Sequence, residues 1–256
     1  MAEPDQHTST RLPAGAARIV IATANPHKVQ ELRALLRVPG VEFLGLDEAA
    51  RLAGVSLTEP AETGTTFEAN ATIKAESYAG QLGMPCLADD SGLEIDALGG
   101  RPGIISSHYC TDGREAGMSR AERDAANNQR VLRELAGVPP EERTARFVCV
   151  MCLAACPGRA LRGRLGGALG GADVPSASTP ILVRGTFEGR IGLPPRVPSG
   201  TDGFGYDPLF LVAPDFTRTG AELPSDEKNR ISHRAAAARL ILARLREMMS
   251  TSHPSP

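Results

Sequence analysis

The chain has 256 residues, 41% of them hydrophobic and 23% charged, with a formal net charge of -2. This balance suits a soluble globular fold with an ample core, and it supplies no basic field to hold nucleic acid. Trp is absent, no apolar run approaches the roughly 20 residues of a membrane span, and the N-terminus carries Glu3 and Asp5 without the apolar core of a secretory signal; the expectation is a cytoplasmic protein with no nucleic-acid or membrane partner.

Residues 1–17 are small and polar without periodicity and read as a disordered tail, as do residues 249–256. Arg18 to Ala22 (RIVIA) reads as a short β-branched strand. Asn25 and Pro26 follow as an N-cap and a first-turn proline. The helix they open places Val29, Leu32, Leu35 and Leu36 on one face. A second helix is predicted over 67–82, carrying Phe67, Ile73 and Tyr78, and a strand over 85–88 that ends at Asp89-Asp90. A third helix is predicted over 119–136, with Val131, Leu132 and Leu135 apolar. Residues 144–155 and 181–187 read as strands able to form a hairpin. The Gly-, Ala- and Pro-rich stretch 157–180 between them reads as an extended loop, and 192–203 as a second Gly/Pro loop. Phe210 to Val212 closes a short strand and Ser232 opens the last helix. Strands alternating with helices predict one α/β domain over 18–248.

The 5 cysteines include a group, Cys149, Cys152 and Cys156, whose spacing invites a metal reading. In a strand, however, Cys149 and Cys152 point to opposite faces and cannot share an ion, so they read as small buried hydrophobes.

Four stretches carry candidate chemistry. TANPHK (Thr23, Ala24, Asn25, Pro26, His27, Lys28) joins a strand to a helix N-terminus, whose free N–H groups suit phosphate, and Lys28 adds a full charge. It lacks the glycine pattern of a Walker loop. LADDSG holds Asp89 and Asp90 as neighbours. On a strand they face opposite ways, so one could bind a hard cation such as Mg2+ while the other orients or deprotonates a water. Asp-Asp-Ser-Gly is also good turn chemistry, and Asp-Ser-Gly occurs in aspartic proteases, although a single copy would then require a dimer and an all-β fold. GTDGFGYDPLF could offer Phe204 or Tyr206 to a flat base from a glycine-flanked loop, or send both into the core. In EKNRISHR, Ser232 caps a helix whose first turn holds His233 and Arg234. Basic residues there oppose the helix dipole, which points to an anionic or carbonyl-bearing ligand or to a poor first turn.

Taken in order, TANPHK, TFEANATIKA, LADDSGLEIDALGGRPGIIS, DAANNQRVLRELAGVP, GFGYDPLF and EKNRISHR resemble the inosine/xanthosine triphosphate pyrophosphatase family over residues 18 to 246. The resemblance implies an α/β fold with a long mixed twisted sheet and flanking helices, two lobes around a nucleotide cleft, and a homodimer. It implies Mg2+-dependent hydrolysis of ITP, dITP and XTP to the monophosphate and pyrophosphate. By the same resemblance Thr23 to Lys28 hold the triphosphate. Asp90 is the proton acceptor and a metal ligand with Asp89 beside it, and Ser91 contacts substrate. Phe204, Gly205, Tyr206 and Asp207 frame the base, and Lys228, His233 and Arg234 complete the pocket and help read the purine 6-oxo group. Two positions depart from the family pattern. Ala69 stands where the family has an acid, so Glu68 or water is expected to fill the metal site. Ser107-His108 replaces an Ala-Arg pair. The alternatives are a related pyrophosphatase acting on other modified nucleotides and a nucleotide-binding protein without turnover.

Overall fold

The structure, a computed structural model, describes residues 17–156 and 179–250. The expectations for residues 1–16, 157–178 and 251–256 lie outside the described residues.

Among the described residues, six strands form one sheet in the order β2-β1-β3-β4-β5-β6. They are β1 (Ala17–Ile21), β2 (Val41–Gly45), β3 (Cys86–Ile95), β4 (Thr144–Ala154), β5 (Ile181–Ile191) and β6 (Phe210–Val212). β1 lies parallel to both β2 and β3, and the pairs from β3 to β6 are antiparallel. The sheet is therefore mixed. The helices are α1 (Pro26–Leu35), α2 (Leu46–Ala53), α3 (Phe67–Leu82), α4 (Arg120–Glu134), α5 (Ser225–Ile231) and α6 (His233–Ser250).

Strand alternation sorts the core into two faces. Ile19, Ile21, Leu87, Cys149, Met151 and Leu153 pack on Leu32 of α1, on Leu36 just past its end, and on Ala237, Ala238, Ile241 and Leu245 of α6. Val20, Cys86, Ala88, Val148, Val150 and Cys152 pack on Phe67, Ala71, Ala75, Tyr78 and Ala79 of α3. Cys149 and Cys152 thus sit on opposite faces, and burial pushes the Cys152 thiol up to about 11. A third cluster, with Leu93, Ile95, Tyr109, Val131 and Phe210, lies toward the far ends of β3 and β5, beside α4.

Local sequence explains the boundaries. Thr66 caps α3 by accepting the Ala69 amide at 3.1 Å, and Gly83 ends it at φ 63°. The alanines of α3 and α6 let both helices approach the sheet closely. On β5, Gly185 lies so near α6 that a Cβ would collide with the Ala237 amide and the His233 carbonyl.

β3 does not end at the acid pair. It continues to Ile95 because β4 offers an unbroken antiparallel partner, from Cys86↔Ala154 to Ile95↔Ala145. The ladder overrides the turn chemistry of Asp-Asp-Ser-Gly. β5 likewise extends to Ile191, beyond the predicted 187, and pairs with β4 as the expected hairpin partner.

Candidate active site

β1 and β3 pair only at Val20↔Cys86 and Ile21↔Leu87. The Ala22 amide then donates to the Leu87 carbonyl at 2.8 Å, and the chain turns away into α1. Beyond that point β3 keeps β4 on one side, with no described strand on the other until a single bridge between Glu94 and Pro102. The parallel strands part there, a place where α/β sheets commonly take ligands. Asp89 and Asp90 follow next on β3.

At its edge, Thr23 Oγ1 accepts the Asn25 amide at 3.3 Å, and Asn25 Oδ1 accepts the Lys28 amide at 3.4 Å. Asn25 is thus the N-cap of α1. That helix has no acid in its first turn, which leaves its positive end available to an anion. Ala24 is exposed on the turn, and the side chains of Pro26 and His27 lie outside the described ones.

The two acids do face opposite sides. Asp89, on the α1 and α6 side, accepts Lys28 Nζ at 2.9 Å and Ser91 Oγ at 3.1 Å, with Arg234 Nε at 3.9 Å. Burial alone would raise its pKa, but Lys28, Arg234 and Lys74 outweigh burial and hold it well below the usual carboxylate range. Asp90, on the α3 side, accepts Lys74 Nζ at 3.3 Å. Burial and nearby Glu62 raise its pKa against the pull of Lys74. Its Oδ2 is buried without a hydrogen-bond partner. Neighbouring carboxylates whose environments push their pKa values apart are the usual mark of divided labour in catalysis.

Lys74 is the residue that sequence reasoning passed over. It joins Asp90 to Glu62, at 3.1 Å. Asn70 accepts the Gly64 amide at 2.8 Å and helps to lower the Asp90 pKa against burial. The signal was present in TFEANATIKA: Asn70 and Lys74 are four apart and so share a helix face with buried alanines. Glu68, by contrast, pairs with Arg184 of β5 at 2.9 Å. The acid that reaches Asp90 through Lys74 is Glu62, from the loop before α3.

At the start of α6, Ser232 caps the helix by accepting the Ala235 amide at 3.2 Å. The dipole conflict read from the sequence is largely absent. Burial, Arg234 and Lys228 drive the His233 pKa well below its ordinary value, so the imidazole is neutral. It stacks on Phe147 with ring centroids 5.3 Å apart, and its Nδ1 has no partner among the described residues. Arg234 is almost fully buried and pairs with Glu31 at 2.7 Å, on the same side as Asp89.

The aromatics of GFGYD divide. Phe204 is 52% exposed, whereas Tyr206 is buried and donates its hydroxyl to the Ser106 carbonyl at 2.7 Å. Asp207 is buried, accepts the Phe204 amide at 2.8 Å and pairs with Lys228. Tyr206, Asp207 and Lys228 therefore shape the loop, and Phe204 and Gly205 are the parts it presents. Ser107 and His108 bond one another at 2.9 Å, and His108 reaches Glu115 at 3.1 Å.

Comparison with known proteins identifies the family and the fold. The Ham1 family model matches residues 19–244. A dITP/XTP pyrophosphatase of Nitratidesulfovibrio vulgaris is 42% identical over 226 residues, covering 88% of this chain and 94% of its own. One from Geobacillus kaustophilus is 44% identical over 219 residues, covering 86% and 89%. Among solved structures, a HAM1 protein from Coxiella burnetii superposes with a TM-score of 0.70 at 37% identity, covering 90% of this chain and 99% of that one. A nucleoside-triphosphatase / dITP/XTP pyrophosphatase from Mycobacterium abscessus gives 0.63 at 35% identity, covering 88% and 98%. With the family model spanning most of the chain and relatives above 40% identity over nearly their whole length, the protein belongs to the Ham1 family.

Proposed function

We propose that the protein hydrolyses ITP, dITP and XTP to the nucleoside monophosphate and pyrophosphate with Mg2+, acting as a cytoplasmic homodimer. The observation that carries this reading is the pair of adjacent buried acids facing opposite sides, Asp89 on Lys28 and Asp90 on Lys74, set beside the N-terminus of α1. The names of the relatives support the substrate class.

The donor set suits Mg2+. Asp90 has a buried oxygen without a partner, and Glu62 stands near it across Lys74. Among the described residues no group of three or more His, Cys, Asp or Glu is poised to hold an ion. Mg2+ commonly needs only one or two carboxylates, because substrate phosphates complete its shell. Asp90 and Glu62 would hold it, and when bound the ion would lower the pKa of its water and neutralise phosphate charge.

Lys28 and the positive end of α1, which carries no acid in its first turn, receive the triphosphate. Asp89 holds the Lys28 amine in place at 2.9 Å. Asp90, its pKa already raised, takes a proton from the attacking water. Attack at the α-phosphorus forms the new P–O bond and expels pyrophosphate. The base stacks on Phe204 near neutral His233. An imidazole N–H there pairs with a 6-oxo group and would face the 6-amino group of adenine, and a polar group left unpaired is a strong means of rejection. A substrate panel tests this. With Mg2+, ITP and XTP should release pyrophosphate far faster than ATP, and equal rates for all would refute the reading. Binding without turnover is the second reading, prompted by Ala69, and the proximity of Glu62 to Asp90 argues against it.

A further inference from the structure

We infer that Arg120, at the start of α4, is a substrate-positioning residue that holds Phe204 for the base. The inference rests on the reading above that Phe204 receives the base.

α4 turns Arg120, Asp124 and Asn128 toward the GFGYD loop at a four-residue spacing, one stripe of the helix. Asp124 Oδ2 accepts the Gly205 amide at 3.1 Å, and Asn128 Nδ2 donates to the Gly205 carbonyl at 3.0 Å. The peptide groups flanking one glycine are thus gripped from both sides. One step along the loop, the Arg120 guanidinium lies 4.7 Å from the Phe204 ring centroid, within cation–π range. Arg120 is in turn 3.9 Å from Asp124. Lys228 Nζ, already paired with Asp207, is 5.5 Å from the same centroid.

The loop needs such support. Gly203 and Gly205 both have positive φ, at 82° and 63°, and flank a ring that is half exposed. A glycine-flanked aromatic would otherwise lose much conformational freedom on binding. α4 supplies that order in advance, and Arg120 is the member of the stripe that touches the ring. Side-chain exposure of 52% for Arg120 leaves it little part in the core. Its effect is therefore on binding of the base and not on folding or on the phosphates.

The test measures kcat and KM for ITP with Mg2+, and competitive inhibition by inorganic tripolyphosphate, which has no base. Arg120→Ala should raise KM for ITP about threefold to tenfold, the range of one partly exposed cation–π contact. kcat should stay within about twofold and tripolyphosphate should inhibit as before. Arg120→Lys should recover most of the loss, and Arg120→Ala should add nothing in a Phe204→Leu background. An unchanged KM, a KM rising in step with the tripolyphosphate constant, or additive losses with Phe204→Leu would each overturn the inference. If the unaltered protein turned over neither ITP nor XTP, the proposed function would fail separately. ITP binding by calorimetry would then decide, with equal affinity in the unaltered protein and Arg120→Ala refuting the role of Arg120.

Discussion

Replacing Asp89 and Asp90 separately by Asn should change stability unequally, although the residues are adjacent, similar in size and both buried. Asp89 lies 2.9 Å from Lys28 Nζ, and its side chain is 2% exposed against 26% for Lys28. At an effective dielectric of about 20, a pair at that distance attracts by roughly 6 kcal/mol before desolvation. Removing one partner of a buried pair typically costs about 3–5 kcal/mol, because the other charge is stranded. Since Lys28 keeps some contact with water, the lower end applies. A loss of about 3 kcal/mol lowers Tm by about 6–12 °C in a domain of this size. Asp90→Asn should cost less than about 1 kcal/mol or stabilise, because burial already disfavours that charge and Lys74 keeps Glu62. The pH dependence differs in sign. The folded pKa of Asp89 is depressed, so its contribution is fully present above its ordinary value of 3.8 and is lost as pH falls through the folded value. The stability gap between the unaltered protein and Asp89→Asn should therefore close in acid. The folded pKa of Asp90 is raised, so any contribution is present below 3.8 and is lost as pH rises through the folded value. Thermal melts by circular dichroism, repeated across pH without Mg2+, measure both. Equal losses at neutral pH, or a larger loss in Asp90→Asn, would refute the division of labour.

Three further outcomes follow from particular contacts. Glu62→Gln should raise the Mg2+ concentration for half-maximal activity several-fold, whereas Glu68→Ala should leave it unchanged; a Mg2+ titration that responds to Glu68 instead would reverse the assignment. Gly185→Ala should destabilise by roughly 1–3 kcal/mol, the usual cost of overpacking, as its Cβ meets the backbone of α6; a normal melting temperature would show that α6 can move aside. Glu222, held by Arg196, Ser199 and the Thr219 amide, titrates at about 2 in the folded chain, so its stabilisation is complete above 4.5 and fades as pH falls toward 2. Acid unfolding of Glu222→Gln should converge with that of the unaltered protein near that lower value, and a gap persisting there would contradict the assignment.

Much of the fold is legible where local and global signals agree. α3 spans the predicted residues 67–82 because Thr66, Gly83 and the apolar spacing all mark the same helix. β2, α2 and α5 escaped because they are short. α5, SDEKNRI, has no apolar stripe and is held between a proline and the cap of α6. The end of β3 was misplaced because a turn signal is local, whereas the ladder with β4 depends on residues some 60 positions away. At the site, the opposed directions of Asp89 and Asp90 follow from strand alternation alone. That cations hold the Asp89 pKa down while burial and Glu62 push that of Asp90 up depends on where Lys28, Arg234, Lys74 and Glu62 converge, which no local pattern encodes. Glu62 was invisible for the same reason: it lies in a loop, and only the reach of Lys74 connects it to Asp90. The aromatic pair in GFGYD could not be divided without the Ser106 carbonyl that takes the Tyr206 hydroxyl.

The central claim is that Asp90 activates a water for attack at the α-phosphorus. The most direct measurement is hydrolysis of XTP in 18O-labelled water with Mg2+, by the unaltered protein and by folded Asp90→Asn. The account predicts one pyrophosphate per XMP, with the label in XMP, and a rate reduced about 100-fold or more in the variant, as expected for loss of a general base. Label in pyrophosphate, release of orthophosphate, or an unimpaired Asp90→Asn would contradict it.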